Sequence, residues 1–194
     1  IASTVVDSRA RSGCVGVPIP GTAIRIVADS GEDTESGDPG EIWVKGPGVF
    51  LGYWPDRDGG PDSQGWFGTG DIGYQDEAGA LHLVDRRREL IIVNGFNVFP
   101  REVEVALEEL DDIAEAAVLG RPDSETGEGV SALVVLAPGS SATVEFISEA
   151  VAKSLARFKC PTQIRIVSNL PRSATGKIAK GRLREVYGEI IEQV

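Results

Sequence analysis

The chain has 194 residues, 41% of them hydrophobic, and a formal net charge of −11. That apolar fraction supports a real core in one large or two small domains, and the acidity argues against a general nucleic-acid or anionic-membrane surface. No apolar run approaches the roughly 20 residues that span a bilayer, so no transmembrane segment is expected. The two cysteines, Cys14 and Cys160, form no CxxC, so reduced thiols in a cytoplasm are expected, with peripheral membrane association left open. There is no methionine and the chain begins with Ile1, which reads as a fragment or a processed piece.

In chain order, "TAIRIV" (22–27), "EIWVKG" (41–46) and "LHLVD" (81–85) have strand composition. Gly, Pro, Asp and Ser clusters such as "DSGEDTESGDPG" (29–40) separate them as surface loops. This first part is expected to form a small, twisted, β-barrel-like subdomain. "LIIVNGFNV" (90–98) then places Asn94-Gly95 between two apolar runs, the strongest short-range hairpin signal. Pro100 opens a helix whose apolar stripe is Val103, Leu107 and Leu110. "AEAAVLG" (114–120), "SALVVLA" (131–137) and "QIRIV" (163–167) read as a three-stranded sheet. Thr143 is placed to cap a helix carrying Ile147, Val151 and Leu155. A last helix spans about 179–191 with Leu183, Tyr187 and Ile190 or Ile191 inward. The expected fold class is α+β: residues 1–86 as the β-rich part and 87–194 as a small α/β domain, joined by a hinge near 85–88.

Charge is uneven. Residues 1–86 carry a net of −8 and residues 87–194 a net of −3. Residues 153–184 hold nine Lys or Arg and no Asp or Glu, which suggests a local anion site in an acidic chain; a basic surface that balances acid elsewhere is the plainer alternative. Within that stretch, "PRSATGKIAKGRLRE" (171–185) contains a Gly-Lys pair. It is a poor nucleotide-phosphate loop: the opening glycine is missing, and Ile178 follows Lys177 where Ser or Thr would hold magnesium.

Four stretches carry a stronger signal together than any one does alone. They are "GEIWVKGPGVFLGYW" (40–54), "GWFGTGDIGY" (65–74), "VDRRRELIIVNGFNVFPREVE" (84–104) and "PRSATGKI" (171–178). In that order and spacing they resemble the C-terminal part of the adenylate-forming superfamily, and "GFNVFPREVE" is most similar to medium- and long-chain fatty acyl-CoA synthetases. The resemblance implies a ligase of fatty-acid metabolism that uses ATP, CoA and magnesium. A carboxylic acid would be activated to an acyl-adenylate and transferred to CoA. It also implies a missing N-terminal domain of the same enzyme, which would carry the phosphate loop, the magnesium ligand and most of the acyl pocket. This fragment alone is then expected to be inactive, with no metal ligand of its own.

The same resemblance assigns residues. Asp71 of "TGD" would accept both ribose hydroxyls of ATP or AMP, as an acceptor-only carboxylate can; taken alone, it is an ordinary turn residue. Arg86 would contact ribose or phosphate through its fixed donors. Arg88 matches the hinge, where the family more often has Asp or Lys. Gly95 would line the pantetheine tunnel, besides serving a type I′ turn. Lys177 would bridge the attacking carboxylate and the α-phosphate, and it is the catalytic candidate. The only histidine, His82, lies in a strand-like run with no nucleophile motif and is read as structural, as are both cysteines. Two rival readings remain: a fatty acyl-AMP ligase that loads a carrier protein, and a non-catalytic nucleotide- or partner-binding module.

Overall fold

The computed structural model describes residues 2–3 and 13–191, with side chains for Ala2 and for 13–186. Packing divides the chain into two compact units, Ile1–Arg88 and Glu89–Val194. The class is α+β, with one sheet in each unit.

In the first unit, strands β1 (Ala2–Ser3), β2 (Cys14–Pro18), β3 (Ala23–Val27), β4 (Gly40–Lys45), β5 (Phe67–Gln75) and β6 (Leu81–Arg86) form a sheet in the order β1-β2-β6-β5-β4-β3. All its pairings are antiparallel. Period-2 alternation on β4 sends Ile42 and Val44 into a small core with Ile26 and Leu81. The barrel-like expectation needs correction: among the described residues the sheet is open. Its edge strand β1 is only two residues long. The free edge of β3 is occupied by its own following loop, through the Val27–Asp33 bridge and the Thr34 N–H to Ile26 carbonyl bond of 2.9 Å. Strand β5 was not expected, because Gly68, Gly70 and Gly73 dilute its strand composition.

The second unit begins with the hairpin β7 (Ile91–Val93) and β8 (Phe96–Val98). Asn94 at φ 51° and Gly95 at φ 80° make the left-handed pair that a type I′ turn requires. Helix α1 (Pro100–Glu108) starts at Pro100, and Val103 and Leu107 are fully buried. Strands β9 (Ile113–Asp123) and β10 (Gly127–Leu136) pair antiparallel, and β11 (Gln163–Ile166) joins β10 parallel. Helix α2 (Val144–Val151) is capped by the Thr143 hydroxyl, which accepts the Phe146 N–H at 3.3 Å. It ends at Val151, so Leu155 reaches the core from the following turns instead of from the helix. Helix α3 (Lys180–Ile191) buries Leu183; the side chains of Tyr187, Ile190 and Ile191 lie outside the described residues.

The sheet of this unit has five strands, not three. The hairpin is drawn in at Gly127↔Val93, and the Glu128 carboxylate accepts the Ile92 N–H at 2.7 Å. Its middle strands are buried on both faces, which explains the continuous apolar run in β10. Val118, Val130, Ala132 and Val134 pack with α1 and α2, whereas Ala117, Leu119 and Leu133 pack with Leu170 and Leu183. Truncating Leu107 to Ala should lower stability by about 2–5 kcal/mol, because it leaves a cavity in this closed layer. Urea denaturation followed by circular dichroism measures it, and a loss below about 1 kcal/mol would mean that the site collapses to fill the space.

Candidate functional site

Asp71 on β5 and Arg86 at the end of β6 are direct register partners. Their side chains form a long ion pair, Arg86 Nε to Asp71 Oδ1 at 3.5 Å, with 57% and 37% of each exposed. An exposed pair of this kind adds little to stability. It leaves carboxylate acceptors and guanidinium donors turned to solvent, side by side.

The backbone that presents Asp71 is firmly held. The Asp71 N–H donates to Thr69 Oγ1 at 3.1 Å, and the Thr69 hydroxyl donates to the Ile42 carbonyl at 2.9 Å. The Gly70 N–H donates to Glu41 Oε1 at 3.2 Å, and Gly70 sits at φ 73°, where a side chain would be strained. Glu41 Oε2 in turn accepts from Arg87, whose other nitrogen reaches Asp29 at 3.3 Å. Thr69, Gly70, Asp71, Arg86, Arg87 and Arg88 together line an open depression of about 500 Å³. Arg88, exposed, lies in the single 3₁₀ turn Arg87–Glu89 that follows β6.

Glu41 and Thr69 were missed by sequence reasoning. Their roles depend on a contact between β4 and β5, and the visible signal was only a carboxylate on an apolar strand. Chemically, the depression offers one acceptor-only carboxylate beside three guanidinium groups, one of them already committed to Glu41 and Asp29. That set suits a ligand with vicinal hydroxyls and an anionic group.

The second unit holds Gly95 and Lys177. Nothing lies within 4 Å of where a Gly95 side chain would begin, so its φ of 80° is the local constraint. Lys177 is exposed on a tight loop. That loop is closed by the Arg172–Ile178 bridge, by the Ser173 N–H to the Lys177 carbonyl at 2.8 Å, and by a turn with Gly176 at φ 81°. It precedes α3 by three residues, so Lys177 does not begin the helix. Arg172 pins one end of the loop, donating to the Gly176 carbonyl at 2.7 Å and to Glu115 at 2.6 Å.

At the other end, Lys180 is largely buried, with its Nζ 2.8 Å from Glu104 Oε1 and 2.9 Å from Glu89 Oε2. Burial pulls its pKa down, but the Glu104 charge and hydrogen bond and those of Glu89 outweigh it, and the net displacement is upward. The folded value therefore exceeds the unfolded one. The stabilisation is fully present below the ordinary lysine value of 10.5 and is lost as pH rises through the raised folded value. Denaturation midpoints between pH 8 and 11.5 should fall at the alkaline end, and less so for Lys180→Met; parallel curves would contradict this.

His82 stacks on Tyr74 at 4.7 Å, with Nε2 3.0 Å from Asp76 Oδ2. This hydrogen bond, with the Ala80 and Ala78 amides, holds the Asp76 carboxyl below its usual value. Cys14 and Cys160 are free thiols, and burial raises the Cys160 pKa. No helix among the described residues is long and apolar enough to cross a membrane.

Residues 1–54 match the family of AMP-binding enzymes and residues 102–177 match the AMP-binding enzyme C-terminal domain. A long-chain-fatty-acid–CoA ligase of Yersinia pestis is 40% identical over 181 residues, covering 92% of this chain and 32% of that protein. An indoleacetate–CoA ligase of Aromatoleum aromaticum is 39% identical, covering 93% of this chain and 36% of its own length. The chain thus spans about a third of the curated relatives that it matches. Among solved structures, ATP-bound MatB from Rhodopseudomonas palustris superposes with a TM-score of 0.86 at 38% identity, over 93% of this chain and 37% of that one. The chain belongs to the AMP-binding, adenylate-forming enzymes.

Proposed function

We propose that this chain serves an AMP-forming acyl-CoA synthetase. In that reaction a carboxylate attacks the α-phosphorus of ATP, expelling pyrophosphate and leaving an acyl-adenylate. The CoA thiol then attacks the acyl carbon, its proton is lost, and AMP departs. The observation that carries the reading is the register pairing of Asp71 with Arg86 in one open depression. Asp71 would accept from the ribose hydroxyls, and Arg86 would donate to ribose or phosphate.

Lys177 would hold the attacking carboxylate against the phosphate, where a mobile cation offsets the repulsion between two anions. Arg88 would be the pivot between the half-reactions, and Gly95 would let the pantetheine arm pass close to backbone. Magnesium belongs to this chemistry as a stabiliser of the triphosphate charge. Its ligands are proposed to lie in the N-terminal domain that the family resemblance implies.

A fatty acid is the preferred substrate class, supported by the resemblance of "GFNVFPREVE" and by the name of the Yersinia pestis relative. The indoleacetate–CoA ligase is almost as similar, which keeps an aromatic acid as the second reading. The test is ATP–pyrophosphate exchange by the product of the complete open reading frame with octanoate, palmitate, phenylacetate and benzoate, followed by CoA as acceptor. Exchange with the fatty acids and thioester formation are expected. Exchange only with the aromatic acids selects the second reading, and none with any acid overturns both.

A further inference from the structure

Lys180 is a buried charged group that the proposed reaction does not use. Its Nζ lies between two carboxylates, Glu104 and Glu89, whose side chains are only 7% and 17% exposed. Glu104 Oε1 also accepts the Val118 N–H of β9 at 3.0 Å, and Arg101 lies 3.6 Å from its other oxygen. A cation at the first residue of a helix is opposed by the helix dipole, so its placement here answers to the carboxylates and not to the helix.

Each partner of Lys180 matters for a different reason. Glu104, on α1 and bonded to β9, is part of the rigid core of the second unit. Glu89 ends the 3₁₀ turn and is the residue that follows Arg88. Lys180 itself follows the Lys177 loop, and the Ala179 N–H closes that loop on the Pro171 carbonyl at 2.8 Å. Leu183, one turn later, is fully buried. The loop is therefore suspended between two ionic anchors, the Arg172–Glu115 pair at one end and the two pairs of Lys180 with Glu89 and Glu104 at the other.

We propose that Lys180 is a positioning residue, which ties the loop bearing Lys177 to Glu89 beside the pivot and so fixes where Lys177 is presented. This rests on the function proposed above. Lys180 would not touch the substrate. Its effect on the reaction would pass through Lys177.

The experiment uses the protein from the complete open reading frame with Lys180→Met, Lys180→Arg, Glu89→Gln, Lys177→Ala and the double variant Lys177→Ala with Lys180→Met. In Lys180→Met, amide hydrogen exchange over residues 172–179 should quicken by at least about tenfold. Adenylation should fall by roughly 10²-fold, as small misplacements of a reacting group do. Lys180→Arg should restore both. The double variant should be no slower than Lys177→Ala alone, because residues acting through one another are non-additive.

Additive losses in the double variant, or Lys180→Met with unchanged exchange and adenylation, overturn the proposal. If Lys180→Met does not fold, Glu89→Gln decides. A slowed adenylation in Glu89→Gln that disappears when Lys177→Ala is combined with it in a second double variant supports the tie, and an unaltered rate in Glu89→Gln overturns it. If the unsubstituted protein forms no adenylate, the proposed function fails separately, and the exchange measurements still decide whether Lys180 holds the loop.

Discussion

Replacing Lys177 by Ala in the complete protein is expected to separate the two half-reactions. Adenylation should slow by roughly 10²–10³-fold, the usual cost of removing one group aimed at developing charge. Acyl-adenylate supplied ready-made with CoA should still give thioester at a near-normal rate. The side chain is exposed and its loop is closed by backbone bonds and by Arg172, so the substitution leaves the fold intact. A kinetic loss then reports chemistry, not unfolding.

The converse holds at Gly95. Leucine there should block thioester formation and spare adenylation, since the family resemblance puts the hairpin beside the pantetheine arm. Gly95→Ala reports the cost of the positive φ by itself, about 1–2 kcal/mol for a left-handed residue with a side chain. Single-turnover kinetics of each step provides the check. Equal slowing of both steps by Lys177→Ala would make Lys177 a general phosphate or stability residue.

If Asp71 holds the ribose throughout, as proposed above, Asp71→Ala should weaken ATP binding and slow both half-reactions. A hydrogen bond to a charged group is worth roughly 1.5–3 kcal/mol, or about 10- to 150-fold in affinity for each one lost. The Arg86 partner is exposed and 3.5 Å away, so folding should be almost untouched. Equilibrium binding of ATP and the melting temperature, measured together, make the comparison. Unchanged affinity would leave Asp71 as a strand residue of β5 with no part in nucleotide binding, while a matching fall in stability would make its contribution one to the sheet.

Much of this architecture was legible because it is written in local chemistry. Asn94-Gly95 specified a type I′ hairpin, Pro100 and Thr143 specified helix starts, and period-2 alternation placed Ile42 and Val44. Four motifs in order were enough to point to the adenylate-forming enzymes. Strand β5 was hidden because glycine weakens strand propensity, although its partners on both sides hold it extended.

That the first sheet stays open, and that the hairpin docks on β10 to make a sheet of five strands, were not legible, because both depend on which edges meet in space. The same is true of the site. Sequence marked Asp71, Arg86 and Lys177 as single positions in motifs. Only the β5–β6 register made Asp71 and Arg86 neighbours, and only the pairing of β4 with β5 brought the Glu41 carboxylate to the Gly70 N–H. Lys180 drew no notice in a basic run, because charge composition cannot distinguish a solvated lysine from one enclosed by two distant carboxylates. Motif chemistry acts over a few residues and survives in the linear order. Electrostatic pairing acts over a few ångströms, between Lys180 and residues 76 and 91 positions away, so folding alone decides it.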